Sequence, residues 1–521
     1  MTAMRALLVR LLPLLFLLTP AISRAAESEA LRQFVEELSV AAGVHFAIAN
    51  FADIESLYAD NRNHFFWFED GPLATMRDDL IGEIHASADH GFNPLRYHFD
   101  ALIDQTLPDE IREVLYTDAL LSQIRHRSNG VLSGQEKEWF VEKPAVDALG
   151  MARSLLEEGG SVADMLRQLW PSHAEYWALL AKRAEFAAQK DVQTEKIPAG
   201  PLLRKGDTGS RVYQLQTRLL GPGDHAGVFD QQLSDTVKDL QRSAALEADG
   251  IVGEATLGIL NANRFSWIDR IDANLERWRW LPHEEQSTHI RVNIASFRLR
   301  AIESGGEEYD MDVIVGRPFR QTPIFTESMK YLVFFPYWNV PTSIAIKDKL
   351  PLLRKDAEPL ALLGYEAQLS GSDEFVPVNT IDWKQIKAGG FLLRQRPGEK
   401  NALGRVKFML PNVHNIYLHD TPDRALFNSI ERIFSSGCIR VSDPEGLAEW
   451  VLRQDKNPQM ASTRQLFQSG LTTTVYLKKP IPVLLVYFTA FIDDGRVVFR
   501  RDVYERDQRI VDELRSDGRS L

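Results

Sequence analysis

Ser435-Ser436-Gly437-Cys438-Ile439-Arg440 holds the only cysteine of the 521-residue chain, and Tyr417-Leu418-His419-Asp420-Thr421 places a histidine 19 positions before it. A thiolate is the strongest nucleophile among ordinary side chains, and an imidazole is its usual activator. A single cysteine also packs well as a small apolar residue, so the flanks carry weight. Small residues before Cys438 let the backbone approach a substrate, and the Gly437 and Cys438 amides are candidates to hold an oxyanion. Residues 415–418 and 439–441 are strand-like, so His419 and Cys438 are expected at neighbouring strand ends. Nucleophile and base within hydrogen-bond reach is the minimum for acyl transfer. The imidazole either takes the thiol proton or holds a preformed thiolate. Its second nitrogen needs an acceptor, either the Asp420 main-chain oxygen or the Asp420 side chain, which is equally suited to a turn at residues 420–423.

Outward from this pair, apolar alternation predicts strands over residues 290–302, 309–315, 331–338, 473–477 and 483–492, the last followed by an Asp493-Asp494-Gly495-Arg496 turn. A helical intrusion is expected from 344 to 363. Residues 27–200 read as mainly helical, with apolar residues at helical spacing over 31–38, 73–84, 115–124 and 165–169. Trp67, Trp139, Trp170 and Trp177 fit core positions there. A polar stretch over 189–201 reads as a linker. Residues 265–282, with Trp267, Trp278 and Trp280, predict a helix packed between domains.

The N-terminus has Arg5 and Arg10, an apolar run over 11–18 broken by Pro13, and small residues around Ser23-Arg24-Ala25. This is the pattern of a cleavable secretory signal, and the run is short for a membrane span. No later stretch is long and apolar enough to cross a bilayer. Export into an oxidising compartment makes a single retained thiol a chemical hint, because disulfides are what such compartments favour. The apolar fraction of 44% is ordinary for globular domains, and a formal charge of −12 with no long basic run argues against a nucleic-acid surface.

Two resemblances follow from these motifs. Residues 203–261 contain Leu203-Arg204-Lys205-Gly206-Asp207-Thr208-Gly209, Gly227-Val228-Phe229-Asp230 and Asp249-Gly250-Ile251-Val252-Gly253, each glycine-marked turn preceding an amphipathic stretch. This unit resembles the three-helix peptidoglycan-binding module of cell-wall enzymes. His419 with Ser435-Ser436-Gly437-Cys438-Ile439-Arg440 resembles the signature of the L,D-transpeptidase, or YkuD, catalytic domain. The domain order is similar to that of the large YcbB-like branch. Ser436 stands where the commoner pattern has His, so His419 is the base that the resemblance leaves.

The resemblance implies a multidomain α+β chain. Its expected parts are a signal peptide (1–25), a helical scaffold (26–200), a peptidoglycan-binding-like module (201–264) and a linker helix (265–288). A mostly-β catalytic domain (289–500) with a helical capping insertion near 344–395 and a C-terminal tail (501–521) complete it. It also implies a periplasmic reaction. Cys438 attacks the third-residue carbonyl of a tetrapeptide stem, the terminal D-alanine leaves, and a second stem's side-chain amine resolves the thioester into a 3→3 crosslink. Water as acceptor gives L,D-carboxypeptidase activity, and a lipoprotein acceptor gives wall anchoring. Carbapenems are expected to acylate Cys438. Arg440 matches the family arginine, with either a carboxylate-positioning or a structural role. Tyr417 shares a strand face with His419, and Trp338 is expected at the cleft entrance; both are substrate-site candidates or packed aromatics.

No cofactor or metal is expected. The partners implied are peptidoglycan stems, with wall synthases or hydrolases as further candidates. A zinc peptidase is the main rival, but twelve histidines include no His-Glu-x-x-His, and His414 with His419 lacks an evident third ligand. The other rival is a non-catalytic wall-binding scaffold.

Overall fold

The computed structural model describes residues 46–517 apart from 61–63, 69–70, 133–138, 189–195, 221–222, 244–245, 262–263, 284–287 and 304–305. The expected signal peptide and the helix over 31–38 lie outside the described residues.

Strands run in chain order as β1 (His289–Asn293), β2 (Arg298–Glu303), β3 (Gly306–Ile314), β4 (Thr326–Phe334), β5 (Trp338–Asn339), β6 (Tyr365–Leu369), β7 (Val376–Pro377), β8 (Phe391–Gln395), β9 (Val406–Met409), β10 (Leu418–His419), β11 (Ile439–Val441), β12 (Thr473–Val486), β13 (Ala490–Asp493) and β14 (Arg496–Phe499). Eight of them close into a barrel in the order β1-β12-β4-β9-β10-β11-β3-β2. Closure removes exposed edges and turns alternate residues into a common core. Leu332, Phe408, Leu418, Ile439, Val483 and Leu485 are fully buried there.

The apolar stretch over 290–302 is two strands rather than one, because Phe297 adopts a left-handed φ of 56° and turns the chain into the β1–β2 hairpin. The stretch over 331–338 likewise splits. Its first part belongs to β4, and Trp338 begins β5 in a separate four-stranded sheet, β5-β8-β6-β7. That sheet joins the helices predicted near 344–363 into a capping unit with its own apolar core of Val340, Leu353, Tyr365, Ala367, Trp383 and Leu393. Alternation alone does not reveal a change of sheet partner.

In the helical region, helix Asp109–Asn129 is buried on nearly all sides. Asp109 and Glu110 lie at its positive N-terminal end and Arg127 at its negative C-terminal end, which suits the helix dipole. Gly130 ends it with φ 77°, and a Cβ there would strike Glu276 and Trp280. Glycine therefore permits the close approach to helix Arg264–Arg279. That helix is the hub of the molecule. Glu276 accepts hydrogen bonds from the Leu132 amide and the Trp280 indole, both at 3.0 Å, and from Arg279 at 2.9 Å. On another side Arg277 donates to Asp507 at 2.6 Å, and Asn274 accepts from the Thr489 amide at 2.9 Å.

Three helices, Ser210–Leu220, Gln231–Ser243 and Glu254–Asn261, pack around Val212, Leu215, Phe229, Leu233 and Val237 as a separate small core. Paired bridges Leu203–Val252 and Thr208–Val228 close it.

Residues 501–517, expected as a tail, are a closing segment. Helix Asp507–Arg515 buries Ile510, Val511 and Leu514, consistent with apolar residues at helical spacing. Just before it, the Tyr504 hydroxyl donates to the Gly316 carbonyl at 2.7 Å and accepts from the Thr322 amide at 3.2 Å. Thr322 Oγ1 in turn donates to the Gly437 carbonyl at 2.7 Å. The chain end thus supports the loop that carries Cys438. Removing one hydroxyl leaves two buried backbone groups unpaired, at about 1–3 kcal/mol. Tyr504→Phe is expected to lower the melting temperature of the catalytic barrel by several degrees in calorimetry and to slow Cys438 alkylation; unchanged values of both contradict this support.

Candidate active site

β10 lies between β9 and β11. His419 pairs with Lys407 on the antiparallel side and with Arg440 on the parallel side. Phe408, Leu418 and Ile439 point into the barrel core, so His419, Lys407 and Arg440 face the other way. Tyr417 and Cys438, each two residues along, join the same face. The two separated motifs are therefore brought together by parallel pairing of very short strands.

His419 is buried, and its Nδ1 lies 2.6 Å from the Asp420 carbonyl oxygen. A carbonyl only accepts, so Nδ1 carries the proton and Nε2 is left with a free lone pair. Burial, then the Arg440 charge, push the imidazole pKa down to about 3, with Lys407 adding to the fall. The Asp420 side chain is engaged elsewhere. Its carboxylate accepts from the Arg405 amide at 2.7 Å, the Thr421 amide at 2.7 Å and Arg424 at 2.5 Å. Of the two possible orienting groups, the main-chain oxygen is the one used.

Cys438 is half-buried. Its Sγ lies 3.7 Å from the Asn415 carbonyl, and Asn415 holds a left-handed φ of 55°. Burial pushes the thiol up to about 11, opposed by hydrogen bonds from the Tyr417 amide and hydroxyl and by the charges of Arg440 and Lys407. The sulfur contacts Asn415 and Tyr417 and makes no direct hydrogen bond to the imidazole among the described residues. The Tyr417 ring packs 5.7 Å from the imidazole at 60°. Such looseness is common before substrate binds.

The loop geometry depends on Gly437, whose φ is 119° and whose Cβ would lie 3.2 Å from Ile416. The Gly437 amide is taken by Ser435 Oγ at 3.1 Å, while that hydroxyl donates to the Cys438 carbonyl at 2.5 Å. The Cys438 amide has no partner among the described residues, so it is the free donor of the expected pair. Ser436 is exposed and accepts from Arg320 at 3.1 Å. Arg320 also forks onto Asp348 of the cap at 2.6 and 2.9 Å. One guanidinium thereby joins the nucleophile loop to the capping unit, in the bidentate geometry that arginine favours.

Arg440 reaches Asp423 at 3.2 Å and Thr421 at 3.5 Å, tying down the segment after His419. Trp338 packs on the cap core. The scaffold also reaches the site. The Phe140 amide donates to the Ile324 carbonyl at 2.6 Å, and its ring lies 4.2 Å from His414, next to Asn415. His414 packs between Phe140 and Phe325 and belongs to an aromatic contact. Among the described residues no group of three or more His, Cys, Asp or Glu is placed to hold a metal ion.

Lys407, Asn415, Arg320, Asp348 and Phe140 were not singled out in the sequence. Lys407 alone left a trace, as the polar residue between Val406 and Phe408. The others depend on long-range register and packing.

Three family models match successive parts of the chain. Residues 287–476 match the family "YkuD: L,D-transpeptidase catalytic domain". Residues 52–182 match "Scaffold domain" and residues 208–260 match "Putative peptidoglycan binding domain". A protein of Haemophilus influenzae named "Putative L,D-transpeptidase" is 34% identical over 248 residues, covering 46% of this chain and 48% of that protein. The match thus spans about half the length of this curated relative. An L,D-transpeptidase crystal structure from Xylanimonas cellulosilytica is 17% identical, over 55% of this chain and 98% of that one, with a TM-score of 0.17. An L,D-transpeptidase from Mycobacterium smegmatis is 12% identical, over 38% and 58%, with a TM-score of 0.19. Superpositions at such scores carry no weight for the fold. On the family matches, this chain carries the YkuD L,D-transpeptidase catalytic domain together with a scaffold domain and a peptidoglycan binding domain.

Proposed function

We propose that this protein is an exported, periplasmic cysteine transpeptidase that forms 3→3 crosslinks between peptidoglycan stems. The observation that carries the reading is the shared face of Cys438 and His419, with Nε2 free because Nδ1 is held by the Asp420 carbonyl. Among the described residues no helix is long and apolar enough to cross a membrane.

The resting pair is a neutral thiol beside a neutral imidazole. As the donor carbonyl arrives, Cys438 Sγ swings from Asn415 toward it, and Nε2 takes the thiol proton. The S–C bond forms, and the developing oxyanion is received by the Cys438 amide. Collapse breaks the C–N bond. The imidazolium returns its proton to the leaving nitrogen, releasing D-alanine and leaving a thioester. The side-chain amine of a second stem attacks that thioester. Nε2 accepts the amine's proton and delivers it to the departing sulfur. The cap, held by Arg320 and Asp348, limits water and so favours transfer over hydrolysis.

Incubation of the protein with purified disaccharide-tetrapeptide, followed by mass spectrometry, tests this. D-Alanine loss, a Cys438 adduct and a crosslinked dimer are expected. In Cys438→Ala all three should vanish with the fold intact, and an unchanged product profile sinks the proposal.

The pKa directions give a second expectation. The thiol lies above its ordinary value and the imidazole below, so free Cys438 holds its proton through neutral pH. Its alkylation by iodoacetamide should climb with pH and reach its midpoint above 9. A midpoint below 7 would indicate a preformed ion pair instead.

A further inference from the structure

The face that carries Cys438 also carries a cation without an acid. The register aligns Lys407, His419 and Arg440 across β9, β10 and β11, with Tyr417 and Cys438 alongside. The other groups on this face are partly engaged: His419 Nδ1 by the Asp420 carbonyl and one terminal Arg440 nitrogen by Asp423, while the Arg440 Nε is buried without a hydrogen-bond partner. Nearby Asp420 is committed to Arg424 and backbone amides. Lys407 has no hydrogen bond or ion pair to any acid among the described residues, and its Nζ lies 5.8 Å from the Tyr417 ring centroid. It is half-buried, and desolvation lowers its pKa. A partly desolvated ammonium on the same face as Cys438 is costly unless an anion joins it.

We propose that Lys407 Nζ binds a carboxylate of the peptide whose amide Cys438 attacks. This rests on the acyl-transfer reading and names what the cleft recognises. Two carboxylates of a tetrapeptide stem lie on the residues that flank the scissile amide. One is the terminal carboxylate, next to the scissile nitrogen. The other is the free carboxylate of the diamino acid. A compact ammonium on a flexible stem takes either. The uncompensated charge is then completed by substrate, which orients the scissile carbonyl over Sγ. Lys407 is in this sense a residue that sets specificity at the cleft.

The test uses full-length Cys438→Ala, which cannot turn over, titrated calorimetrically with three peptides. These are the disaccharide-tetrapeptide, its C-terminal amide, and the form amidated at the diamino-acid carboxylate. Adding Lys407→Met should weaken the parent peptide by about tenfold, while Lys407→Arg should bind it nearly as before. One amidated peptide should already be weakened about tenfold in the Lys407 protein and lose nothing more in Lys407→Met. That peptide identifies the carboxylate. Equal weakening of all three peptides, no weakening of any, or no measurable binding by the parent protein overturns the assignment. D-Alanine release by the Cys438 enzyme that ignores Lys407→Met removes this inference and leaves the acyl-transfer reading standing. Carboxylate discrimination without D-alanine release does the reverse.

Discussion

The buried Asp420 carboxylate is the constraint on which the site depends. It gathers the Arg405 amide, the Thr421 amide and the Arg424 guanidinium, and so fixes the backbone just after β10. That fixed backbone aims the Asp420 carbonyl at His419 Nδ1, and the carbonyl selects the tautomer that leaves Nε2 free. A buried charge with three donors is stiff, because each lost bond would expose an unmet lone pair in a low dielectric. The side chain thus orients the His419 imidazole indirectly, through its own main chain. Gly404 permits this close packing, since a Cβ there would run into the Asp420 side chain.

The same logic of borrowed support extends to the nucleophile. The loop bearing Cys438 is braced by Thr322 and Tyr504 from below and by Arg320 and Asp348 from the cap. Ser435 folds the loop onto itself. The scaffold adds Phe140 beside His414, adjacent to the carbonyl that meets the sulfur. Helix Arg264–Arg279 ties these parts into one body through Glu276 on the scaffold side and Arg277 on the Asp507 side. Domains that read in sequence as separate beads therefore share the mechanical load of one small cleft.

Much of this was legible in the chain. Apolar alternation found most of the barrel strands, because half-buried strands must alternate, but it missed β9 and broke β12 in two where the chain shifts register between Tyr476 and Ile481. The glycine-marked turns found the three-helix module. The lone Cys438 and His419, read as a pair from the sequence, fall on one face of the barrel. Register was not legible, since β10 and β11 have two and three residues and carry no periodic signal of their own. For that reason Lys407 could not be placed opposite His419. The split at Trp338 was hidden because an apolar strand reads the same whichever sheet it joins. The 501–517 segment looked like a tail, as its charged face outweighs a stripe of Ile510, Val511 and Leu514. The preference for a neutral pair over an ion pair was also beyond sequence, because it follows from burial.

The central claim is that a neutral imidazole, protonated at Nδ1, waits beside a neutral thiol. Nitrogen-15 NMR of protein labelled at histidine reads this directly, with His419 assigned by its loss in His419→Gln. At pH 7 the account requires Nδ1 to show the shift of a protonated pyrrole-type nitrogen and Nε2 that of an unprotonated pyridine-type nitrogen. Two protonated nitrogens, or a proton on Nε2 alone, would contradict it.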